Sequence, residues 1–154
     1  MQLKRVVVTG LGALTPIGNN IQEYWDALIS GKSGAAPITY YDTEKHKTKF
    51  ACEVKNFNIE EFIDRKEARR MDKFAQYAIV AGEQAIADAG ILDSNVNKQR
   101  VGVIWGAGIG GLETFQEEVL SYAKGDGTPR FNPFFIPKMI ADIAPAHISM
   151  RNGY

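Results

Sequence analysis

The residues most suggestive of chemistry form a glycine-rich turn between an apolar run and an amphipathic segment. Val101–Trp105 is short and rich in β-branched residues, which predicts a buried strand. GAGIGG occupies positions 106–111, and Leu112–Leu120 has the apolar spacing of a helix. GAGIGG matches G-x-G-x-x-G, a pattern whose glycines let a pyrophosphate approach the N-terminus of a helix. Dinucleotide binding is therefore the first chemistry to consider.

The surroundings of this turn argue against dinucleotide binding. The fingerprint needs a second parallel strand ending in an acidic residue about 20 residues further on. Here 124–129 reads KGDGTP, a loop, so Asp126 has no strand end to position it. A second candidate start, VVVTGLG, also fails, because Leu14 and Thr15 stand where two dehydrogenase patterns require glycine. Tight backbone packing is the favoured interpretation of the glycines, and a dinucleotide-binding domain is kept as an alternative.

Three side chains able to act as nucleophile, base or ligand are also present. Cys52 lies in FACEV with no helix start after it, so nothing there would lower its pKa, and we expect a small buried apolar residue. His46 lies in an extended stretch. His147 has no partner nucleophile or ligand nearby in sequence, which favours a structural role.

One dense basic cluster, DRKEARRMDK, runs from Asp64 to Lys73. Such a run is typical of a solvated helix face. It would also suit a docking patch for an acidic partner, since charge complementarity speeds and orients association. Both interpretations stay open on composition alone.

Composition limits the class of protein. The 154 residues suffice for one domain with a core, and equal numbers of basic and acidic residues, 18 each, give no net field for nucleic acid or membrane. A single Cys52 excludes an internal disulfide, and with two histidines a zinc cluster is not expected. No apolar run is long enough to span a membrane, and Met1–Arg5 does not begin a secretory leader. A cytoplasmic location and no metal are the expectations.

Further elements must hold these residues in place. A strand is predicted at Arg5–Gly10, and residues 35–57 are expected to form an excursion of short extended pieces over the core. Helical spacing predicts three helices, the first capped by Asn19 or Asn20 and ended by Gly31, the second ended by Gly90, and the third with Pro145 near its start or at a kink. They span Ile21–Ile29, Phe74–Ala89 and Met139–Ile148. Between the last two helices, the prolines of NPFFIP limit that segment to a turn or one helical turn.

Four segments, in this order and spacing, closely resemble the β-ketoacyl-ACP synthases of bacterial fatty-acid synthesis, most of all their elongating, type II branch. They are RVVVTGLGALTPIGN from Arg5, RKEARRMDKFAQYAIVAGEQAIADAGI from Arg65, GAGIGGLETFQEE from Gly106 and NPFFIPKMIADIAPAHIS from Asn132. The resemblance covers essentially the whole chain. It implies an α/β, thiolase-like fold layered αβαβα, of which residues 1–154 form the first part of the N-terminal half, in a homodimeric enzyme.

The resemblance also implies roles for individual residues. Ile109 of GAGIGG would gate the channel for the acyl chain, and Phe134 of NPFFIP would form part of the channel wall. The basic cluster would dock the acidic acyl carrier protein. The carrier-docking candidates are Lys66, Arg69, Arg70 and, more weakly, Arg130.

The family's reaction is a decarboxylative Claisen condensation of acyl-ACP with malonyl-ACP, without metal or other cofactor. It uses a cysteine nucleophile, two histidines and a lysine. None of Cys52, His46 and His147 matches those positions, so no catalytic residue is assigned in this chain and we expect the 154 residues alone to be inactive. A non-catalytic relative, similar to the chain-length-determining subunit of polyketide systems, is the alternative within the same fold.

Overall fold

The computed structural model describes residues 3–92 and 94–154. The chain divides into two compact units, and helix Lys73–Asp88 contributes residues to both. The first unit comprises Met1–Phe57 and Glu83–Ser94, and the second comprises Asn58–Gly82 and Asn95–Tyr154.

The first unit contains helix α1, Ile21–Ile29, and two paired strands, β1 (Ala36–Pro37) and β2 (Phe50–Ala51). The strands are antiparallel, with Ala36 opposite Ala51 and Pro37 opposite Phe50. They lie within the stretch for which short extended pieces are predicted. Their pairing is brief, so the unit depends on side chains that bind backbone groups across loops.

Helix α1 begins and ends at local capping signals, as predicted. The Asn20 side chain accepts the N–H of Glu23 at 2.9 Å, and the Glu23 carboxylate accepts the N–H of Asn19 at 2.8 Å. This reciprocal arrangement satisfies N–H groups that have no partner inside the helix. At the other end, Gly31 has φ +67°, a conformation that glycine adopts without steric cost.

Removing the cap of α1 gives a first prediction. Asn20→Ala in the full-length protein should lower the free energy of unfolding by about 1 kcal/mol, because one helix N–H loses its acceptor. Asn20→Asp, which retains an acceptor oxygen, should stay within about 0.5 kcal/mol of the parent. Urea melts followed by circular dichroism measure both. Equal losses in the two variants would show that the cap contributes nothing specific.

The loop after the predicted N-terminal strand is held by the last turns of helix α3, Lys73–Asp88. Gln84 accepts the N–H of Ala13 at 3.0 Å and donates to the carbonyl of Asn19 at 2.8 Å. Gly10 approaches so closely that an added Cβ would lie 2.3 Å from the carbonyl oxygen of Ala85. Glycine is required at position 10 because backbone meets backbone there.

The second unit is helical and is built around the first part of α3. Its helices are α2 (Arg65–Ala68), α4 (Leu112–Lys124), α5 (Phe135–Met139) and α6 (Ile143–Asn152), with 3-10 turns at Ile59–Glu61 and Lys98–Arg100. Ile79 and Val80 of α3 are fully buried, and Ile148 of α6 packs onto Gly82. The abundant alanines of α3 allow this close approach, and Gly90, with φ +63°, follows its C-terminus as predicted.

Two predicted strands are wrong as secondary structure. Arg5–Gly10 and Val101–Trp105 are not strands, and several of their apolar side chains are exposed, with Val6 at 89% and Ile104 at 98%. β-branched composition favours an extended strand, but a strand forms only when a neighbour accepts and donates its backbone hydrogen bonds. Within the described residues, pairing beyond the isolated contact of Thr15 with Gly18 is confined to β1 and β2.

The last helix begins later than predicted. Met139 belongs to α5, and α6 starts at Ile143, which places Pro145 in its first turn. Proline is tolerated there because the first N–H groups of a helix have no internal partner, whereas a helix from Met139 would need the missing N–H. Gly153, with φ +71°, follows the helix.

The predicted burial of Cys52 is also wrong, because its side chain is exposed. Side chains alternate between the two faces of a strand. In and after β2, Ala51 faces inward while Phe50 and Cys52 face outward.

Candidate functional site

The basic cluster folds into one helical turn with its cations on the surface. The Asp64 side chain caps α2 by accepting the N–H of Lys66 at 2.7 Å. Ala68 and Met71 are buried, and the side chains of Lys66, Arg69 and Arg70 remain exposed. The basic cluster is thus anchored by its buried apolar residues and presents Lys66, Arg69 and Arg70 to solvent.

These cations line a groove in the second unit together with residues of α4 and the segment before α5. The groove has a volume of about 670 Å³. All four predicted carrier-docking residues and Phe134 belong to its lining. The lining residues are Lys66, Arg69, Arg70, Glu118, Ser121, Arg130, Phe131, Asn132, Pro133 and Phe134.

Arg70 links the basic cluster to Phe134 on the opposite side of the groove. Its guanidinium carbon lies 4.9 Å from the centre of the Phe134 ring, a cation–π contact. The ring is held there by Asn132, which accepts the N–H of Phe134 at 2.8 Å, while the Asn132 N–H donates to Glu118 of α4 at 3.0 Å. The groove therefore offers positive charge beside an aromatic surface.

Two carboxylates reduce the positive charge of the groove only in part. Glu118 is occupied by the backbone of Asn132, and Asp126 lies 3.7 Å from Arg130. Hydrogen bonds from Thr128, its backbone N–H first, lower the pKa of the Asp126 carboxyl, which keeps Asp126 ionised. Arg130 therefore has a nearby ionised carboxylate that offsets part of its positive charge.

A row of aromatic rings supports the groove wall. Tyr122 and Phe131 have ring centres 5.5 Å apart, Phe131 and Phe135 are stacked at 5.7 Å, and Phe135 and Phe115 at 6.3 Å. Such offset contacts stabilise by about 0.5–1.5 kcal/mol each beyond the area they bury. The row fixes the NPFFIP segment against α4.

The glycine-rich turn is packed against backbone at its second half, as the favoured interpretation predicts. Gly110 has φ +88°, and an added Cβ there would lie 2.2 Å from the carbonyl oxygen of Met139. The N–H of Gly111 donates to that same carbonyl at 2.9 Å. A Cβ added to Gly106 or Gly108, by contrast, would have no atom of the described residues within 4 Å, its chain neighbours aside.

A buried carboxylate, which sequence reasoning did not single out, lies at the N-terminus of α4. Asp72 Oδ2 accepts the Thr114 N–H at 3.1 Å and the Thr114 hydroxyl at 2.6 Å. An added Cβ on Gly111 would approach this oxygen to 3.0 Å. A negative charge thus occupies the place where a dinucleotide would set its pyrophosphate, which argues against the dinucleotide alternative on electrostatic grounds. The one feature of the sequence that could have indicated this carboxylate is the position of Asp72 directly before helix α3.

Ile109 lies on the same turn but does not line the groove. Its side chain is 71% exposed, and it directly precedes Gly110. The structure therefore brings Phe134 and the four basic residues together and leaves Ile109 outside that lining, on a separately anchored turn.

His147, interpreted as structural, lies partly buried on α6 near Glu67 and Arg151. Burial lowers the pKa of His147, a lowering that Arg151 adds to and Glu67 opposes. Arg151 itself binds Glu67 through both carboxylate oxygens, at 2.9 and 3.0 Å.

The lowered pKa predicts a pH dependence of stability. At a pH above 6.5, the ordinary pKa of histidine, His147 is neutral in both the folded and the unfolded protein. At a pH below 6.5 the unfolded protein binds the proton more readily than the folded protein does. Stability should therefore fall as the pH drops from 6.5 through the lowered pKa, and His147→Gln should flatten this decline. Melting temperatures of the full-length protein between pH 7 and 5 test this. A decline equally steep in the variant would contradict the assignment.

Among the described residues, no group of three or more His, Cys, Asp or Glu side chains is placed to hold a metal ion. No helix in 3–92 or 94–154 has the length and apolar character needed to span a membrane.

Two solved structures that are similar to this chain carry the name of a ketosynthase or ketoacyl synthase. The ishigamide ketosynthase/chain length factor matches with a TM-score of 0.77 and 28% identity, covering 95% of this chain and 36% of its own. A beta-ketoacyl synthase from Burkholderia phymatum STM815 matches with a TM-score of 0.76 and 26% identity, covering 96% and 36%. The fold is thus similar to the N-terminal portion of a ketosynthase.

Sequence comparison defines the family. Residues 3–154 match the model of the beta-ketoacyl synthase N-terminal domain, and the chain belongs to the beta-ketoacyl synthase family. It is 46% identical over 153 residues to 3-oxoacyl-[acyl-carrier-protein] synthase 2 of Synechocystis sp. and 50% identical over 153 residues to the protein of that name from Staphylococcus aureus strain COL. Each match covers 99% of this chain and 36% of the relative, so the chain spans about a third of the relatives' length.

Proposed function

We propose that the protein to which this chain belongs is a β-ketoacyl-ACP synthase that elongates fatty acids in the cytoplasm. The observation that carries the proposal is the identity of 46–50% across nearly the whole chain to relatives named 3-oxoacyl-[acyl-carrier-protein] synthase 2. The proposed fold of the complete protein is thiolase-like, layered αβαβα and homodimeric. Residues 1–154 supply scaffold, acyl channel and carrier docking, and no catalytic residue is assigned among them.

The proposed reaction has two steps. An acyl group moves from the thioester of acyl-ACP to a cysteine thiolate of the complete enzyme, and the carrier thiol leaves. Malonyl-ACP then loses CO₂, and the resulting carbanion attacks the enzyme-bound acyl thioester. The products are a 3-oxoacyl-ACP two carbons longer and the free cysteine.

The groove supports carrier docking by its chemistry. Lys66 on α2 and Arg69 and Arg70 in the turn that follows it are exposed cations, and an acidic carrier would meet them at the rim of the apolar wall formed by Phe134. Charge of this kind contributes mainly to association rate and orientation. Phe134 and Ile109 are proposed to contact the acyl chain.

A condensation assay tests the proposed function. Full-length protein mixed with acyl-ACP and malonyl-ACP should release one CO₂ for each 3-oxoacyl-ACP formed, measured by intact-carrier mass spectrometry. Failure to form product alone, with product formed when the protein is combined with a ketosynthase that is inactive without it, would favour the chain-length-determining alternative. Failure in both cases would overturn the proposal.

A further inference from the structure

The basic cluster and the glycine-rich turn are joined through one buried residue, Asp72. Asp72 follows Arg70 by two positions and is 7% exposed. Its backbone carbonyl accepts the N–H groups of Ala75 and Gln76, so it also starts helix α3. One residue therefore lies at the junction of the basic cluster with α3 and, through its carboxylate, holds the start of α4.

The carboxylate contact is short and enclosed. Thr114 is 4% exposed, and its hydroxyl reaches Asp72 Oδ2 at 2.6 Å. Hydrogen bonds to an ionised acceptor are stronger than neutral ones, and a buried acceptor that loses its donor is costly. The contact between Asp72 and Thr114 consequently fixes the start of α4 relative to the basic cluster.

The same contact limits where the glycine-rich turn can lie. Gly111 is confined between Asp72 Oδ2 and the carbonyl oxygen of Lys138, which an added Cβ would approach to 3.0 and 2.4 Å. Ile109 stands two residues before Gly111. A displacement of Asp72 would therefore move the turn that carries Ile109.

We propose that Asp72 is a positioning residue that couples the carrier-docking segment to the turn bearing Ile109, and so sets the acyl-chain selectivity of the enzyme. The inference rests on the proposed function, because it takes the basic segment as the docking surface and Ile109 as the gate. Coupling of this kind is carried by packed, hydrogen-bonded contacts such as the one between Asp72 and Thr114.

The experiment compares full-length variants in two measurements. The first is the ratio of kcat/KM for a short-chain and a long-chain acyl-ACP, and the second is hydrogen exchange of residues 106–115 with and without unloaded carrier protein. Asp72→Ala removes the acceptor but leaves buried donors unpaired and can prevent folding. Thr114→Val removes only the hydroxyl, Thr114→Ser restores it, and Glu113→Gln serves as a control that breaks the exposed ion pair of Glu113 with Lys73.

Thr114→Val should change the selectivity ratio about tenfold, equivalent to about 1.4 kcal/mol, and abolish the effect of the carrier on exchange at 106–115. Thr114→Ser and Glu113→Gln should stay within about twofold of the parent. If the parent condenses acyl-ACP but Thr114→Val retains both ratio and exchange response, the coupling is wrong and the proposed function stands. If the parent neither binds carrier nor condenses, the proposed function has failed and the coupling falls with it.

Discussion

Gly110→Ala is expected to lower the free energy of unfolding of the full-length protein by about 3 kcal/mol, since an L-residue at positive φ costs about 1–2 kcal/mol and forcing a methyl into packed atoms about 1–3 kcal/mol. At this position φ is +88°, and the new Cβ would meet the Met139 carbonyl oxygen at 2.2 Å. A backbone oxygen cannot rotate away as a flexible side chain can. Chemical denaturation curves measure the loss.

Gly108→Ala is the matched control on the same turn. Gly108 is not among the residues with positive φ, and no described atom lies within 4 Å of its added Cβ. Its substitution should therefore change stability by less than about 1 kcal/mol. Equal losses at the two positions would contradict the packing of the turn against Met139.

Reversing the charges of Lys66, Arg69 and Arg70 to glutamate should raise the Kd for acyl carrier protein about 100-fold, or about 2.7 kcal/mol. Three attractive charges at the groove become repulsive toward an acidic partner, and Arg70 also loses its contact with Phe134. The weakening of binding by salt should be smaller in the variant, because fewer attractive charges remain to be screened. Titration calorimetry at two salt concentrations measures both effects.

The control for this charge reversal is a triple reversal at Lys45, Lys47 and Lys49, exposed residues of the first unit. It produces the same change in net charge at residues that do not line the groove. Its Kd should stay within about threefold of the parent. A comparable loss in both variants would mean that only net charge matters, and the docking assignment would be wrong.

Sequence reasoning succeeded where the signal is local. Asn20 and Gly31 bound α1 because a cap acts on residues two to four positions away, and Gly90 follows α3 for the same reason. The packing of Gly110 was also expected, since a glycine-rich turn implies close approach of some backbone. The local sequence pattern did not indicate that the approaching backbone would be that of Met139.

The errors come from partners distant in the chain. Val6 and Ile104 have the residue type of a strand, yet strand formation depends on neighbours that composition cannot supply. The contact of Asp72 with Thr114 joins residues 42 positions apart, so no window of sequence contains both. The groove was predictable only as separate segments, and the structure adds that Arg70 meets Phe134.

The central claim is that the groove of the second unit binds the acyl carrier protein, and photocrosslinking tests it most directly. Ser121 lines the groove without contributing charge, so replacing it with p-benzoylphenylalanine leaves the basic residues intact. Thr48, exposed in the first unit, receives the same group as a control. Irradiation with carrier protein should give an adduct of the two summed masses from position 121 and none from position 48. An adduct from position 48 alone, or from neither position, would contradict the account.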